Sequence, residues 1–168
     1  HLFEKTGIAG VPSGLQNTNI PFKWNDLEDF KNKLLLYEDD IAAVKMEVTR
    51  NILPDKGFLE SIRNLCSQKN IVLIFDECTS GFRQTFGGLH LKYQVNPDIA
   101  VFGKALGNGY AITAVIGIEA IMKEASKSFI SSTFWSERIG FVAGIATLNE
   151  MEKIKSWEII TSIGSKVQ

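Results

Sequence analysis

Cysteine is nearly absent from this sequence: Cys66 and Cys78 are the only two in 168 residues. Two thiols make neither a disulfide framework nor a zinc quartet, and they suit a reducing cytoplasm. No run of about 18 apolar residues occurs, and no basic, apolar, small-residue leader opens the chain, so neither a membrane span nor a retained secretion signal is expected. An excess of one charge is missing too. Lys and Arg number 18 against 19 Asp and Glu, a formal net charge of −1, so no bulk field draws the chain to nucleic acid or anionic lipid. Internal repeats, low-complexity tracts and linkers are absent, and one domain is the default. What is present, 45% hydrophobic and 22% charged residues, matches a globular chain able to bury a core. The opening "HLFEKTG" lacks an initiating Met and looks unlike a domain start, which reads as a piece of something longer.

Residues 7–26 are rich in Gly, Pro, Asn and Thr without an apolar period and read as an extended loop. Asp26 then caps a helix through about Leu36, with Leu27, Phe30, Leu34 and Leu35 as its apolar face. "IAAVKMEV" at 41–48 reads as a strand, and Phe58, Ile62, Leu65 and Cys66 at helical spacing predict a helix over 57–69. "IVLIFD" at 71–76 is a continuous apolar run of strand length, the mark of a parallel strand covered on both faces. "DIAVFGK" at 98–104 repeats that pattern, "AITAVIGI" at 111–118 adds a further strand, and 137–155 reads as a long helix despite its glycines. Strand, helix, strand, connection, strand is the order of an open α/β sheet, where ligands sit at the carboxyl ends of the strands.

Asp76 and Glu77 occupy that position, and three readings compete for them. A nucleoside triphosphatase would also need a GxxxxGK phosphate loop ending in Ser or Thr; "GKALGNG" puts its Lys ahead of the glycines and after the acidic strand, so it is not that loop. A structural reading has Asp76 capping the turn and Glu77 solvated. The third draws on "PDIAVFGKALGNGYAI", where a second apolar strand ends in Gly103 and Lys104 and the turn beyond carries Gly107 and Gly109. Lysine is seldom buried without a partner, yet this one closes an apolar strand. Asp76 and Lys104 are separated by close to the roughly 30 residues of a strand-crossover-strand unit, so both side chains can project into one crevice. A Lys partly desolvated there becomes a nucleophile able to form a Schiff base. An Asp across the crevice suits a protonated pyridine nitrogen, and the glycines let backbone pass close to a flat cofactor.

"LIFDECTSGFR", "NPDIAVFGKALGNGY" and "STFWSERIGFVAGIATL" together resemble the class III, or subgroup II, pyridoxal-phosphate aminotransferases, including their glutamate-1-semialdehyde aminomutase branch. The resemblance runs from about residue 20 to about 155. It implies a three-layer α/β/α sandwich with a mostly parallel sheet, part of the large domain of fold-type I pyridoxal-phosphate transferases. Residues 1–168 would then be a partial large domain, without the family's N-terminal segment and C-terminal small domain. It further implies pyridoxal 5'-phosphate as cofactor, Lys104 as its Schiff-base lysine and Asp76 as the partner of the pyridinium nitrogen. Cys78 falls where the family usually has a Val against the ring, and Thr79 where it often has Gln or Met near the phenolic oxygen. Thr133 matches the Thr that reaches the cofactor phosphate of a neighbouring subunit, which implies a homodimer with shared sites. Ser136, Glu137 and Arg138 stand where Gly-Asn-Pro is usual, and Ala111 where Pro is usual.

The implied activity is transfer of an amino group between an amine or amino acid and an aldehyde or keto substrate. Two alternatives stand beside it: an intramolecular aminomutase, and a non-catalytic fragment of such an enzyme that only self-associates. Glu77 divides evenly between a structural carboxylate and a site residue. Glu47, at a strand end, and His90, a lone histidine, read as structural. Phe82, Phe86 and Trp135 read as packing, and Arg83 and Arg138 as surface residues able to bind a carboxylate bidentately.

Overall fold

The computed structural model describes residues 12–15, 18–49 and 51–167, which fall into two compact units, His1–Ile41 and Ala42–Gln168. Of the loop expected over 7–26, residues 7–11, 16 and 17 lie outside the described residues; the rest is irregular apart from a single helical turn at Ser13–Leu15. Helix α1 (Leu27–Leu36) begins where expected, because the Asp26 carboxylate accepts the Asp29 N–H and so satisfies one of the donors a helix start leaves bare. Its buried residues are Phe30 and Leu34, whereas Leu35, expected on the apolar face, is exposed. Phe30 and Leu34 are four positions apart and stack along one line of the helix surface; the next position, 35, is rotated off that line.

The second unit carries a four-stranded sheet in the order β1-β2-β3-β4: β1 (Ala43–Glu47), β2 (Val72–Asp76), β3 (Ile99–Phe102) and β4 (Ala114–Gly117). The first three strands are parallel, and β4 runs antiparallel to β3 with Phe102 opposite Ala114. The connection over 103–113 is too short for the crossover of a dozen or more residues that a parallel partner needs. The α/β class and the mostly parallel sheet are as the sequence implies. Coverage of the strands is not: in β2, Leu73 and Phe75 are fully buried while Val72, Ile74 and Asp76 are half-buried, and β4 is largely exposed. One face of the sheet is therefore closed, and the other is partly open.

Helix α2 (Phe58–Gln68) packs against β2 and buries Phe58, Leu59, Ile62 and Cys66. Arg63 ties this helix to the sheet by donating to Asp98 at 2.8 Å, while Asp98 also accepts the Leu73 N–H at 2.7 Å. A short helix α3 (His90–Tyr93) lies between β2 and β3. Helix α4 (Glu119–Ala125) follows β4, then come α5 (Arg138–Ile154) and α6 (Ser156–Val167). The glycines of α5 have a packing reason. A Cβ on Gly140 would lie 2.9 Å from the Ala111 carbonyl, so the bare backbone is what lets the helix lie against the 103–113 connection. Beneath it Ala100, Phe102 and Leu106 form a buried cluster with Phe82, Ile112, Ala114 and Leu148 packed round it.

Candidate active site

The parallel register sets Asp76 and the approach to Lys104 side by side: Asp76 is opposite Val101, so β2 and β3 end together and both chains turn at the same edge. Lys104 opens a single helical turn, Lys104–Leu106, beyond the end of β3 with φ of 43°. A left-handed backbone is uncommon for a residue with a side chain, and such strain gathers at ligand sites. Its ammonium donates to Thr79 Oγ1 at 3.0 Å and lies 3.7 Å from Cys78 Sγ. Gly103 makes this possible. A Cβ there would meet Cys78 Sγ at 2.8 Å, inside any tolerable contact.

Asp76 accepts the Cys78 N–H on Oδ1 at 3.1 Å and pairs through Oδ2 with Lys45 at 2.9 Å. Burial alone would push this carboxyl up, but the hydrogen bonds from Lys45 and Cys78 and the positive charges of Lys45 and Lys104 outweigh it and hold it below its usual range. Asp76 is thus kept as a carboxylate. Sequence reasoning missed Lys45, because pairing it with Asp76 requires the β1–β2 register, which places the two residues diagonally on one face; the available signal was a lysine interrupting an apolar strand.

Glu77 points the other way. Its side chain has no exposure, and it accepts from Ser80 Oγ, from the His90 N–H at 2.9 Å and from His90 Nδ1 at 2.8 Å. A carboxylate can only accept, so Nδ1 carries the proton. Burial pushes the Glu77 carboxyl up, and the hydrogen bonds from the His90 ring, Ser80 and the backbone N–H groups of His90 and Leu89 more than offset it, leaving it below the usual range. Of the even choice posed by the sequence, the structural role holds for Glu77, and His90 is its satisfied core partner.

Thr79 and Cys78 join Lys104 as described, whereas Thr133 stands exposed on the 126–137 segment with no described contact to that group. Lys104 itself is exposed, against the expectation of partial desolvation, because its turn lies past the strand end. It borders a cavity of about 400 Å³ whose lining also includes Phe82, Arg83, Ala105, Asn108, Gly109, Met151 and Ile160. Arg83 donates through Nε to the Thr79 carbonyl at 2.7 Å. Phe82 and Phe86 pack as expected, Phe82 against Phe102 and Phe86 against Trp157, but Trp135 is 60% exposed. Among the described residues no group of three or more His, Cys, Asp or Glu could hold a metal ion.

An open, mostly parallel α/β sheet with an amine and a held carboxylate at adjacent strand ends defines a class of site: one that presents a nucleophilic amine and a fixed negative charge to a ligand at the carboxyl edge of the sheet. The family model for class-III aminotransferases matches residues 8–168, and the chain belongs to that family. It is 37% identical over 165 residues to the 3-aminobutyryl-CoA aminotransferase of Cloacimonas acidaminovorans, covering 94% of this chain and 40% of that protein. It is 41% identical over 157 residues to the glutamate-1-semialdehyde 2,1-aminomutase of Saccharolobus islandicus, covering 90% and 37%. The FumI protein of Sphingopyxis sp. MTA144, solved in its PLP internal aldimine form, aligns with a TM-score of 0.76 at 25% identity over 79% of this chain and 34% of that one. The chain thus spans about 40% of the length of these curated relatives.

The family uses pyridoxal phosphate, and the donor set fits two ends of that molecule: a primary amine for its aldehyde at Lys104 and an ionised carboxylate for its ring nitrogen at Asp76.

Proposed function

We propose that this chain supplies the cofactor-holding core of an enzyme that moves an amino group between an amine or amino acid and an aldehyde or keto substrate. The observation that carries this reading is the pairing of Lys104 and Asp76 at the ends of neighbouring parallel strands, with Thr79 and Cys78 between them. When bound, pyridoxal phosphate supplies an aldehyde that takes up amino groups and a ring that accepts electrons from a substrate carbon. Lys104 Nζ would hold that aldehyde through its primary amine and, when free of it, would be the base placed to move a proton at the reacting carbon. Thr79 Oγ1 accepts from the same ammonium and so fixes where it rests. Asp76 holds a proton on the ring nitrogen by offering it a full negative charge.

Arg83 gives the adjoining cavity a positive charge that the cofactor does not use, and among the described residues its lining holds no acidic side chain, which favours a substrate bearing a carboxylate. The free thiols of Cys66 and Cys78 favour a reducing compartment such as the cytoplasm. A homodimer with shared sites is supported by apolar surface on β4 and around the start of α5: Val115, Ile116, Phe129, Phe134, Trp135, Phe141 and Val142 are all more than half exposed. Thr133 sits within this surface, as a residue reaching a neighbouring subunit's cofactor would.

The test is an absorbance spectrum with added pyridoxal phosphate, then borohydride reduction and peptide mapping. The expected result is a yellow band and a fixed pyridoxyl group on Lys104, both lost in Lys104→Ala; a group fixed elsewhere, or none in the full-length gene product, overturns the reading. Similarity to the aminomutase favours a second reading, in which one substrate is both donor and acceptor. Product formation without a separate keto acceptor distinguishes it.

A further inference from the structure

The cationic neighbour of Asp76 is a lysine that the proposed chemistry does not use. Lys45 comes from the middle of β1, where it is opposite Ile74 while Glu47 is opposite Asp76. The lysine therefore reaches Asp76 along the diagonal, a span that a long side chain covers easily. Its ammonium lies 2.9 Å from Oδ2, and Oδ1 is already taken by the Cys78 N–H. The charged groups facing Asp76 are Lys45 and Glu47 from β1 and Lys104 from the turn after β3. Both carboxylate oxygens are thus engaged from within the chain.

Resting on the role of Asp76 as partner of the cofactor's ring nitrogen, we propose that Lys45 competes with that nitrogen for the Asp76 carboxylate. Both competitors are cationic N–H donors, and they want the same acceptor. Lys45 is the chain's own counter-ion for Asp76, and it gives up Oδ2 when the ring arrives. Its side chain is 62% exposed on a flexible four-carbon stem, so it can withdraw into water, whereas Asp76 is 25% exposed and fixed by its backbone hydrogen bond. The carboxylate keeps a cationic partner in both states. Cofactor affinity is accordingly lower than an unopposed aspartate would give.

The test measures the dissociation constant of pyridoxal phosphate in the full-length gene product for Lys45→Met and Lys45→Arg, together with the carboxyl titration of Asp76 by NMR in cofactor-free protein. Lys45→Met is expected to raise the Asp76 midpoint and to tighten cofactor binding roughly two- to fivefold, the scale of an exposed ion pair. Lys45→Arg is expected to keep the unaltered affinity or weaken it. Unchanged or weaker binding in Lys45→Met overturns the competition, and so does an Asp76 midpoint that does not move. A separate failure is distinguishable: if borohydride fixes no pyridoxyl group on Lys104 in the unaltered protein, the function itself falls, and the competition with it.

Discussion

Asp76 and Glu77 are consecutive carboxylates on two sides of one strand end, and their surroundings differ in kind. On the open side, Asp76 is kept ionised by solvent-accessible cations and has one backbone N–H to steady it. On the closed side, Glu77 is enclosed by hydroxyl, imidazole and amide donors reaching back from Ser80 and His90. A buried carboxylate supplied with fixed donors braces the turn that follows the strand; one left half-open beside long, flexible ammonium side chains can exchange its partner. The same residue chemistry thus yields a girder on one side and a solvent-facing ion pair on the other.

The sharpest way to break the comparison is Glu77→Ala. Removing the acceptor strands the His90 ring and amide in the interior and is expected to cost about 3–5 kcal/mol of stability, read from denaturant unfolding. Asp76→Asn is expected to do the reverse: stability within about 1 kcal/mol of the parent, because its ion pair is exposed, and turnover by the full-length product lower by roughly 10²–10³-fold. Equal stability losses in the two variants would dissolve the distinction. Next in size is Gly103→Ala, whose new methyl collides with Cys78 Sγ; overpacking of this kind costs about 1–3 kcal/mol, and adding Cys78→Ala should return part of it.

Acid pH sharpens the same contrast. Both carboxyls are held below their ordinary values, 3.8 for Asp76 and 4.5 for Glu77, so the folded chain binds fewer protons than the unfolded one in that range. The stability they contribute is complete above those ordinary values and is lost as the pH falls through the lowered folded-state ones. Glu77→Gln should flatten the acid limb of stability against pH more than Asp76→Asn does. The smallest effect concerns the thiols. Burial pushes Cys66 up to about 11, so it stays protonated and should resist a thiol reagent until the chain unfolds, while half-buried Cys78 is labelled in the native state and protected when pyridoxal phosphate is bound.

Asp76 and Lys104 are legible in the sequence because each closes an apolar run and their separation fits one strand-crossover-strand step. Glu77 is undecidable at that level: its main partner, His90, lies 13 residues on, past a turn whose path the residue types do not dictate. Lys45 is hidden for a similar reason, since a diagonal contact exists only once register is known. Helix α6 has a legible stripe, with Trp157, Ile160 and Ile163 at helical spacing, yet it lies beyond the last element expected from the sequence. The exposure of Lys104 and the open second face of β2 are not legible, because a run of apolar residues reports affinity for cover and not whether cover is there.

The strand order has a consequence for how the site comes into being. Each strand of the sheet pairs with the one made just before it, so every new edge finds its partner already in place. The β1–β2 and β2–β3 pairs are parallel, however, and each is closed over a crossover connection, which makes them non-local contacts that are slow to form. Asp76 and the approach to Lys104 therefore come to one rim only when β2 and β3 pair across the connection between them, so the rim forms with the sheet and not ahead of it.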